Sequence, residues 1–223
     1  MNDSAILRLE ILEWWHCSAG RGVRSGANAL AIRDDALPYV PGRTLKGLLR
    51  DAMMQVEQLA QYHVADGAIA IVPPGATDTL LGRPTGIAAL NRAALAEQRF
   101  ATERGLLHVG SATLPEAWRR WAATPQGADA LRDLAETLHR TEIDSEGQAV
   151  PHSLRSVEVM PPMTLDAVLS FHAVHDPWGP QDGWRGLLRA ALPLLRGLGA
   201  GRTRGLGRVS AELREFGAKE ARA

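Results

Sequence analysis

Runs of strict apolar–polar alternation and two longer runs of helical periodicity take up most of the apolar residues in this chain. From Ala5 to His16, Leu7, Leu9 and Ile11 alternate with Arg8 and Glu10, the period of a strand with one face on a core. A loop rich in Gly, Ser and Arg (Cys17 to Asp35) leads past Pro38 and Pro41 to a predicted helix. There Leu45, Leu48, Leu49, Ala52, Met53, Val56, Leu59 and Ala60 recur along one face. At about 100° per residue, positions 43, 46 and 50 lie within about 60° of one another on another side, so Arg43, Lys46 and Arg50 form a cationic ridge.

Gly and Pro punctuate residues 63–103, within which 88–100 suits a short helix. Gly105 to Leu114 reads as a strand, and Pro115–Ala123 and Ala128–His139 as helices. Arg140 to Leu154 is polar and suits a protruding hairpin. Ser156–Met160 reads as a short strand, and Leu165, Ala167, Leu169, Phe171 and Ala173 alternate along a longer one. Trp184, Leu187, Leu188, Ala191, Leu192 and Leu195 mark a second amphipathic helix, bent at Pro193. A glycine-dense loop precedes a last strand with Val209, Ala211 and Leu213 on one face.

This order predicts one α+β domain with a ferredoxin-like, or RNA-recognition-motif-like, core. The predicted core comprises 1–62, 104–115 and 156–216. An insertion (63–103), a helical insertion (115–139) and a thumb hairpin (140–155) interrupt it. At 223 residues, 45% apolar and 22% charged, the chain can bury a substantial core. It has no apolar run of membrane-spanning length, and its polar start, MNDSAIL, is unlike a secretory signal, so a soluble cytoplasmic protein with no membrane partner is expected. The single cysteine, Cys17, excludes a disulfide framework and a multi-cysteine zinc site.

The 25 cations balance the 25 anions, but unevenly along the chain. Arg21, Arg24, Arg33, Arg43, Lys46 and Arg50 face only Asp34 and Asp35 between Ala19 and Arg50, a net of +4. Between Gln181 and Arg208, six arginines face Asp182 alone, a net of +5. Arginine suits bidentate phosphate contact and base stacking. The densest segment, GLGAGRTRGLGR (197–208), has five glycines in its first eleven residues. Such a backbone can take positive φ and form anion nests beside Arg202, Arg204 and Arg208. It follows a helix and precedes a strand, the reverse of a dinucleotide-binding loop or P-loop, so a nucleotide cofactor is not expected. At the other cluster, Thr44 and the amides from Gly42 to Leu45 would offer an anion a helix N-terminus.

Together these segments resemble a family. PYVPGRTLKGLLR before a helix, and GAGRTRGLGRV between the last helix and last strand, are similar to the paired signatures of the RAMP superfamily of CRISPR-associated RNA-binding proteins. HRTEIDSEGQAVPHSLRSVEVMPP (139–162) resembles the thumb hairpin of the repeated backbone subunit in type III effector complexes. Residues 63–130 match none of the family's motifs. The resemblance implies a subunit that stacks along a guide CRISPR RNA and grips its phosphates. Arg21, Arg24, Arg43, Thr44, Lys46, Arg50, Gly199, Gly201, Arg202, Thr203, Arg204, Gly205, Gly207 and Arg208 are the implied RNA-binding positions. It also implies a thumb that pries a base from the guide–target duplex, with Ile143, Val150 and Leu154 as candidate wedges. Other RAMP subunits, copies of this chain and complementary target RNA are the implied partners.

Family members that cut target RNA carry a metal-binding aspartate where this sequence has Asn28, which lacks the charge to hold a divalent ion. An inactive backbone subunit with no cofactor is therefore expected. One alternative is metal-dependent cleavage through Asp34 or Asp35. Another is a scaffold that docks acidic protein partners through its basic segments. His16-Cys17 is a candidate acid/base pair. His172 and His175, three apart on a strand, would face opposite ways and not share a metal. Trp118, Trp121 and Trp184 sit on helix faces suited to a core, and one of Trp14 and Trp15 is expected to pack inward.

Overall fold

The computed structural model describes residues 3–18, 31, 33–34, 36–64, 73–83, 104–173, 175, 177 and 183–215. It is an α+β fold in which strands β1 (Asp3–Ile11), β4 (Leu107–Val109), β7 (Met163–Phe171) and β8 (Val209–Glu215) form one antiparallel sheet in the order β4-β7-β1-β8. Two small hairpins flank it: β2 (Arg33–Asp34) with β3 (Leu37–Pro38), and β5 (Glu136–Arg140) with β6 (Arg155–Val159). Helix α1 (Gly42–Val64) carries the chain from β1 to β4, with β7 between those strands. Helix α5 (Gly183–Ala191) carries it from β7 to β8, with β1 between them.

The alternation in the sequence sets the faces. Ala5, Leu7, Leu9 and Ile11 lie opposite Leu169, Ala167, Leu165 and Met163. With the exception of half-buried Met163, all of these are buried, in one core with Leu45, Leu49 and Met53 of α1 and with Trp184, Leu187, Leu188 and Ala191 of α5. Phe171 stacks on Trp184 with ring centres 5.6 Å apart. The intervening positions face the other way, where Arg8 binds Asp166, its register partner, through two bonds of 2.7 and 2.8 Å. The helix expected to bend at Pro193 instead stops at Ala191 and gives way to a single 3₁₀ turn at Leu192–Leu194, because proline has no N–H for the helical ladder. Among the described residues no helix is long and apolar enough to cross a membrane.

Three expectations need correction. The periodicity at 128–139 is split: helix α4 (Pro125–Arg132) stops, and the chain turns into strand β5. Ser156–Met160 lies outside the main sheet, because strand β6 (Arg155–Val159) pairs with β5 and makes the stem of the predicted hairpin. The stem thus takes in 136–140 and 155–159, beyond the predicted 140–155. Finally, only Trp184 of the three helix-face tryptophans is core. Trp118 and Trp121, both on helix α3 (Glu116–Ala122), are 57% and 44% exposed and meet edge to face at 5.8 Å. Trp15 is the inward member of its pair, fully buried with Nε1 donating to Pro161 O at 3.0 Å.

Candidate nucleic-acid interface

The start of α1 is held against the edge of the sheet. The Gly42 amide donates to Ser111 Oγ at 3.1 Å, and a Cβ at Gly42 would stand 2.4 Å from Val109 O. Only glycine therefore lets the helix start so close to β4. The amides of Thr44 and Leu45 donate to Pro41 O at 2.9 and 3.0 Å. Those amides are already satisfied, so the anion site expected at the N-terminus between Gly42 and Leu45 is largely closed.

The ridge itself divides. Arg50 points into the protein: its guanidinium binds Asp78 Oδ1 at 3.0 Å, Leu81 O at 2.9 Å and Gly82 O. Two turns further along the same face, the Glu57 carboxylate accepts from the Gly75 amide, from the Thr77 amide at 3.2 Å and from Thr77 Oγ1 at 2.6 Å. Helix α1 thus grips the six-residue helix α2 (Ala76–Leu81) at both ends, an anion at its N-terminus and a cation at its C-terminal carbonyls. Arg50, expected to bind RNA, is instead the fastening of α2.

Arg43 and Lys46 remain available. They line a cleft of about 520 Å³ between α1, the end of α2 and the outer edge of β4. Arg83, Arg104, His108 and His172 line it too, and among the described residues no carboxylate does. Desolvation, and then the neighbouring Arg50 charge, lower the Lys46 pKa, as expected for a lysine in a cationic hollow. At the cleft wall the chain crosses itself closely, since a Cβ on Gly105 would stand 2.3 Å from Gly82 N. Sequence reading missed Arg83, Arg104, His108 and the site role of His172, which come from separate segments with no motif of their own.

The glycine loop sits on the other flank of α1. Leu48, Asp51 and Gln55 border a smaller hollow shared with Leu194–Gly197 and Arg202. Two of the implied RNA-approach glycines serve the protein itself. A Cβ on Gly199 would meet His16 O at 2.2 Å, and one on Gly207 would meet Leu198 O at 2.1 Å. The loop is tied down by Ala200 N to His16 O at 2.8 Å and by Gly207 N to Trp14 O at 2.7 Å. Gly205 has φ +77° with open space around it, so only its conformation calls for glycine. Arg202, Thr203 and Arg204 form an exposed tip, whereas Arg208 pairs with Glu13 at 3.2 Å. A Cβ on Gly201 would come within 3.4 Å of the Arg140 guanidinium, which places the loop at the foot of the β5–β6 hairpin.

In the hairpin tip between β5 and β6, Thr141 Oγ1 bonds Ser153 Oγ at 2.7 Å, and Asp144 Oδ1 accepts from the amides of Glu146 and Gln148 at 2.9 and 2.8 Å. Its apolar residues have little to pack on: Ile143 is 57% and Leu154 64% exposed, and Val150 is half-buried. From 141 to 154 the tip carries Glu142, Asp144 and Glu146 and no lysine or arginine. It is thus unsuited to phosphates and better matched to bases or a cationic surface. Near the stem, Arg33 binds Glu158 at 2.9 and 2.8 Å, and Ala31 N donates to the same carboxylate at 2.8 Å. Burial alone would raise the Glu158 pKa; the Arg33 hydrogen bonds, the Ala31 amide and the Arg33 and His16 charges outweigh it and hold the carboxyl below its usual range. Asp34, next to Arg33 on the β2–β3 hairpin, is exposed. Arg21, Arg24, Asn28 and Asp35 lie outside the described residues.

His16 and Cys17 are both buried, a setting unsuited to acid/base exchange with a bound RNA. His16 is buried with Nδ1 2.7 Å from Glu158 O, and burial pushes the Cys17 thiol up to about 11, far from a reactive thiolate.

No protein-family model matches this sequence, and no curated protein matches it. Among solved structures, the chain resembles one in "Cryo-EM structure of the Type III-B Cmr-beta bound to cognate target RNA". The TM-score is 0.60 at 12% identity, over 94% of this chain and 96% of that one. A chain of the type III-B Cmr-beta apo state gives a TM-score of 0.55 at 12% identity, over 95% and 97%. At this identity the likeness is one of fold, and it runs nearly the full length of both chains.

Proposed function

We propose that this chain is a cytoplasmic RAMP-superfamily backbone subunit of a type III-like CRISPR effector complex, which grips guide RNA and supports recognition of complementary target RNA. Its core is read as ferredoxin-like: two strand–helix–strand units, each straddling a strand of the other, match that topology. The fold it shares with chains of Cmr-beta, one of them bound to target RNA, supports the assembly, with other subunits or further copies as neighbours.

One observation carries the RNA-binding reading. The cations that sequence motifs placed in two clusters occupy two accessible sites flanking α1: the Arg43–Lys46 cleft, and the Arg202–Arg204 tip at the foot of the thumb. Both are rich in cations that suit phosphates, contacts that hold a backbone without reading its sequence. The test is replacement of Arg43, Lys46, Arg202 and Arg204 by alanine, leaving Arg50 in place to hold α2. Fluorescence anisotropy on unrelated single-stranded RNAs should show weaker binding to all of them. The slope of log K against log salt should flatten by about 0.7 for each phosphate no longer neutralised. Unchanged affinity and slope in a folded variant would refute the reading.

A further inference from the structure

Resting on that RNA-binding reading, we propose that the apolar groove between α3 and the base of the β5–β6 hairpin is a stacking site for an unpaired base of single-stranded RNA, with Trp118 and Trp121 as its aromatic platform. Among the described residues these are the largest apolar side chains left exposed. Together with Leu131, Leu134, Pro162 and Met163 they line a groove of about 360 Å³. That lies within the range of small-ligand sites, roughly 300–1,000 Å³. The described lining is apolar apart from Thr164, so it can cover a flat ring but cannot satisfy a charged group. The two indoles meet at 87° with centres 5.8 Å apart. In such a pair one ring contributes only its edge, and its faces remain for another aromatic ligand.

Charge decides between a base and an apolar peptide as the occupant. Helix α3 reads Glu116-Ala-Trp-Arg-Arg-Trp-Ala122, with two arginines between the two tryptophans. The Arg119 and Arg120 side chains are 49% and 75% exposed. Both lean on one carboxylate, Glu116, at 2.5 and 3.8 Å, exposed pairs that cost little to exchange for a phosphate. Aromatic rings interleaved with cations suit a single strand, since indole faces stack on bases while guanidinium groups hold the phosphates between them.

The groove also continues the proposed RNA path. Leu134 and Pro161–Met163 flank β5 and β6 in the chain, so the groove opens at the base of the hairpin. The loop carrying Arg202 and Arg204 abuts Arg140, at the other end of β5. Six residues lead from Leu134 to Arg140, a reach of about 20 Å at most. A strand held at the loop therefore has only that distance to cover before a base can enter the groove.

The experiment measures anisotropy binding of the full-length protein to labelled single-stranded RNA and to a matching strand that lacks its bases. Trp118→Leu and Trp121→Leu keep apolar bulk and remove the aromatic face. Each should weaken binding of the intact strand by about 5- to 150-fold, the range for one lost stacking contact. The slope of log K against log salt should stay at its wild-type value, because no phosphate contact is lost. Trp118→Phe should retain most of the affinity. Both tryptophans are exposed, so thermal melts of the variants should match wild type. The abasic strand should bind the wild-type protein more weakly by a similar factor, a readout that needs no substitution, and should not distinguish wild type from the variants. Wild-type affinity for intact RNA in the double variant would overturn this inference, leave the RNA-binding reading standing and return the groove to a protein partner. An equal loss on the abasic strand would overturn it too, since the tryptophans would then act through the fold. Failure of the wild-type protein to bind RNA would overturn both readings.

Discussion

Arg50 offers the sharpest test, because the ridge in the sequence and the contacts in the fold assign it opposite roles. Consider Arg50→Met, which keeps most of the aliphatic stem and removes the guanidinium. The side chain is 16% exposed and serves Asp78, Leu81 O and Gly82 O. Hydrogen bonds from a charged donor contribute about 1.5–3 kcal/mol each when the partners stay buried. Asp78, at 39% exposure, can be rehydrated, so its share falls to that of a surface pair. The two carbonyls end α2 and lose their cap, so the total loss is about 2–4 kcal/mol. For a chain of this size that corresponds to about 5–15 °C in Tm. Lys46→Met is the control. Its ammonium is desolvated and repelled by Arg50, so removing it should change stability by less than about 0.5 kcal/mol while weakening RNA binding. Thermal melts and anisotropy titrations on both variants decide the matter. An Arg50→Met protein with wild-type Tm but abolished RNA affinity would show that Arg50 is a ligand group and that α2 is held by something else.

The glycine loop should respond position by position. Gly199→Val drives a side chain into His16 O and should destabilise the fold, whereas Gly205→Val meets no atom and adds only the strain of a positive φ, so the Tm of the first should fall well below that of the second. The acid limb of stability should depend on Glu158. Its folded pKa lies below the usual 4.5, so its contribution is full above that value and is lost as pH falls through the folded pKa. Asp3, held low chiefly by its hydrogen bond from Arg185, acts in the same direction, so Glu158→Gln should flatten the acid limb of a Tm–pH profile without abolishing it. An unchanged profile would mean that the Arg33–Glu158 pair is not linked to folding.

Periodicity alone located β1, α1, β7 and β8, because a strand or helix with one face on a core must repeat its apolar residues at 2 or 3.6. Glycine density likewise marked the 197–208 turn, where Gly199, Gly201, Gly205 and Gly207 all take positive φ. What periodicity cannot say is which surface a face will meet. Trp118 and Trp184 occupy equivalent places on short amphipathic helices, yet only the helix carrying Trp184 crosses the sheet. Arg43, Lys46 and Arg50 share one ridge, and the arrival of residues 76–82, some thirty residues downstream, turns only the last of them inward. His108 and His172 share a cleft solely because β4 pairs with β7. Local sequence determines the faces an element presents. The long-range pairings that bury a face, or leave it open with its charge unspent, belong to tertiary structure, because each depends on where a distant segment comes to rest.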